Sequence, residues 1–363
     1  MALAPSLKEL KSKGSRNITN HTREGESMDD QGSQVETRDL ALDGVVEFNV
    51  MGLGGAGKVA ALRYAKRHPN ASRIITVDTS GVVQKNDNVE SFRIAGLNGS
   101  AKLRKENIDQ IKAFTTDFVS TNTFSDVNVL IFSAAGGSGS VLGPVILSEI
   151  ARQGKVGIVV SIIDMDSEVD IINSLNLLRT VDNIAKDKGS YVPVVLFDNS
   201  KSRSVVDTGI DSTIDNIDEM LSTPLVGLDR LDRLRFLNPT AFDGVSAGMK
   251  LMNLSRLPDG DWEDNGQYKS EDGSGRIDAA LIISKPSDHL VLTQRCVVTF
   301  RGYFGEDYKS NLIGSIGYTI PDSLVKLLNS SIHSHKSTAP AKETVIKSEY
   351  TSVGVDAGGG IIL

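Results

Sequence analysis

The stretch Leu130-Ile-Phe-Ser-Ala-Ala-Gly-Gly-Ser-Gly-Ser-Val-Leu-Gly-Pro144 decides how the rest of the chain is read. An apolar run, Val127 to Phe132, predicts a buried strand. It breaks into a loop of Ala, Gly and Ser, then resumes as an apolar helical pattern at Val145-Ile-Leu-Ser-Glu-Ile150. A strand that feeds a glycine-rich loop into a helix N-terminus builds a phosphate cradle. Glycine lets the backbone approach an anion, the first N–H groups point at it, and the helix dipole favours negative charge.

Around that stretch lies a chain of 363 residues, 39% hydrophobic and 23% charged, enough for one large domain or two smaller ones. A net charge of −7 argues against direct nucleic-acid binding, which needs a basic face. The single Cys296 excludes an intramolecular disulfide and a Cys-rich metal site, as suits a reducing cytoplasm. Five scattered His give no metal signal, and no apolar run is long enough to span a membrane. Cytoplasmic localisation is expected.

Upstream, residues 1–42 are polar and charged, and they read as a flexible N-terminal arm. Val45 to Met51 predicts a strand that enters Gly52-Leu-Gly-Gly-Ala-Gly-Lys58 and a helix to about Arg67. Arg73-Ile-Ile-Thr-Val-Asp78 follows as a parallel second strand. Three readings of this glycine loop compete. Gly52-x-Gly54-x-x-Gly57 with Asp78 matches a dinucleotide fingerprint. Gly52-(x)4-Gly57-Lys58 nearly matches a P-loop but has Val59 where a hydroxyl should hold Mg²⁺. In the third reading, it is one of several loops of a nucleotide site. Ile94 to Ser100, ahead of Lys102-Leu-Arg-Lys105, suits a loop closing over terminal phosphates. Two glycine-rich turns on one parallel sheet must share its carboxyl edge, where ligands bind.

Val156 to Ile163 predicts another buried strand, ending in the acidic loop Asp164 to Asp170. A helix follows to about Lys188, then the strand Val192 to Phe197 and a long helix with a polar start.

In this order the loops resemble those of the tubulin and FtsZ family of filament-forming GTPases. Ala135-Gly136-Gly137-Ser138-Gly139-Ser140, with Pro144 following, is similar to the family's phosphate signature, although relatives usually carry Gly at the positions of Ala135 and Val141. The resemblance implies nucleotide contacts from Gly54, Gly55 and Ala56, from Asp78, and from Gly96, Asn98 and Gly99 over the γ-phosphate. It further implies ribose contact by Glu168, and contacts by Asn199 and by Asn216 on the long helix, the last with the guanine base. GTP or GDP is the implied ligand, with Mg²⁺ held mainly by the nucleotide phosphates and no protein metal site.

The family's activating loop ends the central helix and reads Asn-x-Asp-x-x-Asp. Asn238-Pro-Thr-Ala-Phe-Asp243 is similar, with Thr240 in place of the first acid. Asn238 and Asp243 are therefore the expected catalytic residues, with slow hydrolysis as one consequence of Thr240. The implied fold is α/β. It comprises a Rossmann-like GTP-binding domain at 43–205, a central helix at 206–236, a smaller α+β domain at 237–328, and a flexible tail at 329–363. The implied partner is a further copy of the chain, head to tail, with cargo or an adaptor reached through the terminal tails. A filament scaffold with little hydrolysis and an NAD-dependent Rossmann enzyme stand as alternatives.

Overall fold

Strands that are apolar on both faces belong in the middle of a parallel sheet, and four such runs build the centre of this protein. The computed structural model describes residues 44–71, 73–80, 87–99, 104, 107–263, 276–292, 294–305, 310–318 and 322–338. The expected N-terminal arm and the chain beyond 338 lie outside them, as do Ser100, Lys102 and Lys105. In the centre, β1 (Phe48–Leu53), β4 (Val127–Ser133), β5 (Val156–Ile163) and β6 (Tyr191–Asp198) are parallel neighbours. Beyond β1 lie β2 (Ile74–Asp78) and the edge strand β3 (Val89–Arg93).

Beyond β6 the same sheet continues through β7 (Gly248–Leu257), β12 (Asn311–Tyr318), β9 (Arg276–Ser284) and β11 (Arg295–Tyr303), ten strands among the described residues. Strand β12 runs antiparallel to both neighbours, so the sheet is mixed but mostly parallel. A separate two-stranded pair joins β8 (Trp262–Glu263) and β10 (Leu290–Val291).

Alternation along the central strands divides the core. Val50, Val129, Ile131, Ile158 and Val160 face α1 (Gly54–Arg67), α5 (Arg203–Ser222) and α6 (Arg230–Leu237). Met51, Leu130, Phe132 and Val159 face α2 (Ile108–Thr121), α3 (Gly139–Arg152), α4 (Glu168–Asp187) and α7 (Asp322–Thr338). On the first face, Arg63 and Arg67 of α1 pair with Asp207, Asp211 and Asp215 of α5, tying the first helix to the central one.

Two expectations change, and one strand was not expected. The central helix expected over 206–236 is two helices, because Pro224 forces Thr223 out of the helical region and ends α5 at Ser222. Strand β3, short and half-exposed at the sheet edge, had no counterpart in the sequence reading. At the other end, α7 runs to Thr338, beyond Asn329 where the tail was expected to start, and Ile332 as well as Leu328 packs on the core shared with α4.

Candidate functional site

Parallel strands place the loops after β1, β2, β4, β5 and β6 on one edge of the sheet. The backbones of the two glycine loops touch there. Gly54 has φ +72°, and a Cβ on it would meet Gly139 N at 2.8 Å; a Cβ on Gly139 would meet Leu53 O at 2.7 Å. Neither α1 nor α3 has a side-chain N-cap, and the close approach of Gly54 and Gly139 brings the two helix N-termini together. Gly55 and Ala56 are exposed beside them, with open space where a Gly55 Cβ would stand. Two uncapped helix ends and a cradle too tight for side chains fit a polyphosphate.

The other expected phosphate residues assemble on this pair. Thr79 Oγ1 lies 2.6 Å from Ser138 Oγ, and Thr79 O accepts from Gly99 N at 3.3 Å. Segment 95–99 is thereby tied to the second glycine loop. Its Gly96 and Gly99 have positive φ, and Asn98 is exposed and accepts from Arg93 at 3.0 Å. Asp78 is buried, bonded to Lys58 and Ser80. Within the loop, Ser140 Oγ donates to Gly137 O and Gly136 N donates to Ser133 Oγ, both at 3.2 Å.

From beneath, Asn173 Nδ2 donates to Ala135 O at 3.1 Å and the buried Arg104 donates to Ser140 O at 2.8 Å. Burial alone pushes the Arg104 guanidinium down to about 10, so it stays charged at neutral pH. Thr79, Arg104 and Asn173 were not among the expected contacts, and Lys58 entered only as the end of the near P-loop match. Arg104 sits in the basic stretch that did draw notice.

On the neighbouring strands, Glu168 is half-buried at the start of α4, where Ser167 caps by accepting from Asp170 N. Asn199 is exposed after β6 and donates to Asp164 Oδ2 at 3.0 Å, bringing the two loops together. Asn216 does not join them. It lies thirteen residues into α5, about 20 Å along the axis. Its amide donates to Leu254 O at 3.1 Å while its Oδ1 accepts from Arg256 at 2.9 Å. Both ends of Asn216 are spent on β7.

The opposite edge carries the acids. Val46 N donates to Leu221 O, and Arg230 pairs with Asp126 just before β4, which fixes the end of α5 and the start of α6 at the amino ends of the strands. The segment that follows the central helix is Val226-Gly-Leu-Asp229-Arg-Leu-Asp232. Asp229 and Asp232 form a capping box, each side chain accepting from the other's backbone N–H, at 2.8 and 3.3 Å. Asp229 is exposed, flanked by Val226 and Leu231 at 72% and 50% exposure. Buried Arg233 fastens the segment to α5. Asn238 and Asp243 lie on the same edge but after α6, not at the end of the central helix; Asn238 accepts from Thr240 at 2.8 Å, and Asp243 is exposed.

No family model matches the chain. A phage tubulin-like protein of Pseudomonas phage PhiPA3 is 30% identical over 199 residues, 54% of this chain and 62% of that protein. Another, of Pseudomonas phage phiKZ, is 31% identical over 98 residues, 27% of this chain and 29% of its own length. The chain therefore matches less than two thirds of the length of either relative. Among solved structures, the protofilament of TubZ from Bacteriophage PhiKZ superposes with a TM-score of 0.71 at 19% identity, over 83% of this chain and 95% of that one. The phage tubulin PhuZ–GDP structure gives 0.70 at 17%, over 86% and 99%. The chain thus has the fold of the tubulin-like structures and is similar in sequence to the phage tubulin-like proteins over part of their length.

Proposed function

We propose that this protein binds GTP at the carboxyl edge of its sheet, polymerises head to tail, and hydrolyses GTP at the contact between subunits. The observation that carries this reading is the division of labour between two opposite edges. One edge has a phosphate cradle; the other presents an exposed acid between exposed apolar side chains. A head-to-tail contact is heterologous and does not close, so stacking lays one edge on the other and yields a filament.

Within that reading, Gly54, Gly55, Ala56 and Ala135 to Ser140 hold the phosphates. Gly96, Asn98 and Gly99 cover the terminal one, and Glu168 takes the ribose. Base recognition passes from Asn216 to groups on the correct edge, Asn199 and Asp207 in the second turn of α5. GTP supplies the phosphoanhydride bond and, through its phosphates, a seat for Mg²⁺. Among the described residues no cluster of three or more His, Cys, Asp or Glu could hold a metal ion. Asp229 and Asp232 take the role first given to Asn238 and Asp243, because they follow the central helix and keep the Asp-x-x-Asp spacing. From one subunit, the Asp229 carboxylate orients or deprotonates the attacking water in its neighbour's site.

The capping box favours a second reading. Both acids already serve α6, so a filament that binds GTP and turns it over slowly is the alternative. The NAD reading loses its ribose acid, since Asp78 is bonded to Lys58 and Ser80. Cargo or adaptor attachment falls to the terminal segments. Among the described residues no helix is long and apolar enough to cross a membrane.

Electron microscopy and sedimentation of purified protein test the proposal. Filaments are expected with GTP and not with GDP or without nucleotide. Phosphate release by the assembled protein separates the two readings, and failure to bind guanine nucleotide at micromolar concentration removes both.

A further inference from the structure

Lys58 is left unused by the proposed function. It ends the stretch that nearly matches a P-loop, in which Val59 denies Mg²⁺ its hydroxyl. Its Nζ lies 2.5 Å from Asp78 Oδ2 and 3.2 Å from Ser80 Oγ, and Ser80 Oγ is itself 2.5 Å from the same carboxylate oxygen. The two charged side chains are 12% and 9% exposed. Asp78 Oδ1 accepts from Thr79 N at 2.8 Å, and Thr79 Oγ1 reaches Ser138 Oγ in the phosphate loop. The ammonium thus stands at the carboxyl edge beside the first turn of α1, joined to the second glycine loop through Asp78 and Thr79.

A buried ion pair is a weak source of stability, since apolar residues of the same volume commonly do as well. Its place in the phosphate cradle gives it another use. Burial raises the Asp78 pKa, but hydrogen bonds from Lys58 and Ser80 outweigh that and hold the carboxyl below its usual range. Asp78 also keeps Ser80 and the Thr79 N–H when the lysine moves. The four-carbon stem of Lys58 lets its head change partners without moving the backbone.

We propose that Lys58 is a resident cation of the phosphate site, exchanging Asp78 for a terminal phosphate oxygen of the bound nucleotide and lessening the need for Mg²⁺. This rests on the reading of the carboxyl edge as a guanine-nucleotide site.

The test is the affinity for a fluorescent GTP analogue in Mg²⁺ and in EDTA, with thermal melting as a check on folding. A charge-assisted hydrogen bond to phosphate corresponds to roughly 10- to 100-fold in affinity. Wild type should therefore lose no more than about fivefold in EDTA, and Lys58→Met about 100-fold. Asp78→Asn should bind about threefold tighter in EDTA, because the lysine is released and a carboxylate no longer repels phosphate. Lys58→Met/Asp78→Asn should melt like wild type yet bind as weakly as Lys58→Met.

Equal losses in the two single variants, with affinity restored in the double, would make the pair structural and overturn the proposal. So would wild type as sensitive to EDTA as Lys58→Met. Wild type that binds no analogue in either buffer overturns the nucleotide reading and this inference with it; binding unaltered in Lys58→Met overturns the inference alone.

Discussion

Asp229→Asn is expected to lower GTP turnover in assembled filaments by about 10²- to 10⁴-fold, the usual contribution of a positioned general base, while nucleotide binding by the free subunit stays intact. The substitution separates two roles that the structure joins in one side chain. Asn caps a helix about as well as Asp, so the bond to Asp232 N survives and α6 keeps its N-terminus. Melting is expected to move by no more than about 2 °C, since a lost cap is worth about 1 kcal/mol and this one is retained. Asp229→Ala loses both the charge and the cap, and should fall short of Asp229→Asn in stability but match it in turnover. Filaments of either variant should persist longer after assembly, because GTP remains at their contacts. Asp243→Asn is the control. Turnover lost in that variant and kept in Asp229→Asn would return the role to the loop after α6.

How far the sequence foretold this depends on the range over which each signal acts. The runs at Val127 to Phe132 and Val156 to Ile163 need only their own composition to declare buried parallel strands, and β4 and β5 lie where those runs stand. The glycine loops are equally local, and the parallel sheet then forces them onto one edge. Thr223-Pro224 is a local sign that the central helix ends well before Asn238, which puts Asp229 and Asp232 nearer that end. A helical periodicity runs through Asn216 without saying which edge of the sheet it nears; only the register of α5 against β7 decides that. Lys58 with Asp78, Arg104 with Ser140 and Thr79 with Ser138 are contacts over 20, 36 and 59 residues of separation, which no spacing rule reaches. The strand-to-helix glycine loop of the opening stretch was legible, and the long-range contacts that support it were not.

Arg233→Met is the largest stability change expected. The side chain is wholly buried, and its guanidinium donates to Met220 O at 2.8 Å, Leu221 O at 2.9 Å, Thr223 O at 2.8 Å and Leu228 O at 3.4 Å. Those carbonyls are the last of α5 and the first of the segment leading to Asp229, where Pro224 has ended the helix. A cation there also faces the negative end of the α5 dipole. Burial pushes the guanidinium down to about 10, with the Asp229 charge acting in the other direction, so it remains charged at neutral pH. Methionine restores volume and removes the cost of burying a charge, but it leaves buried acceptors without donors at about 1–3 kcal/mol each. A net loss of about 2–4 kcal/mol follows from setting the one against the other, read as a fall in melting temperature of about 3–6 °C. Lysine, with one compact head, cannot span four carbonyls and should recover only part of it. The same substitution frees the segment that carries Asp229, so turnover per assembled subunit should fall even below the melting transition. A variant that melts early but hydrolyses normally when folded would show that Arg233 holds the fold and does not place the acid.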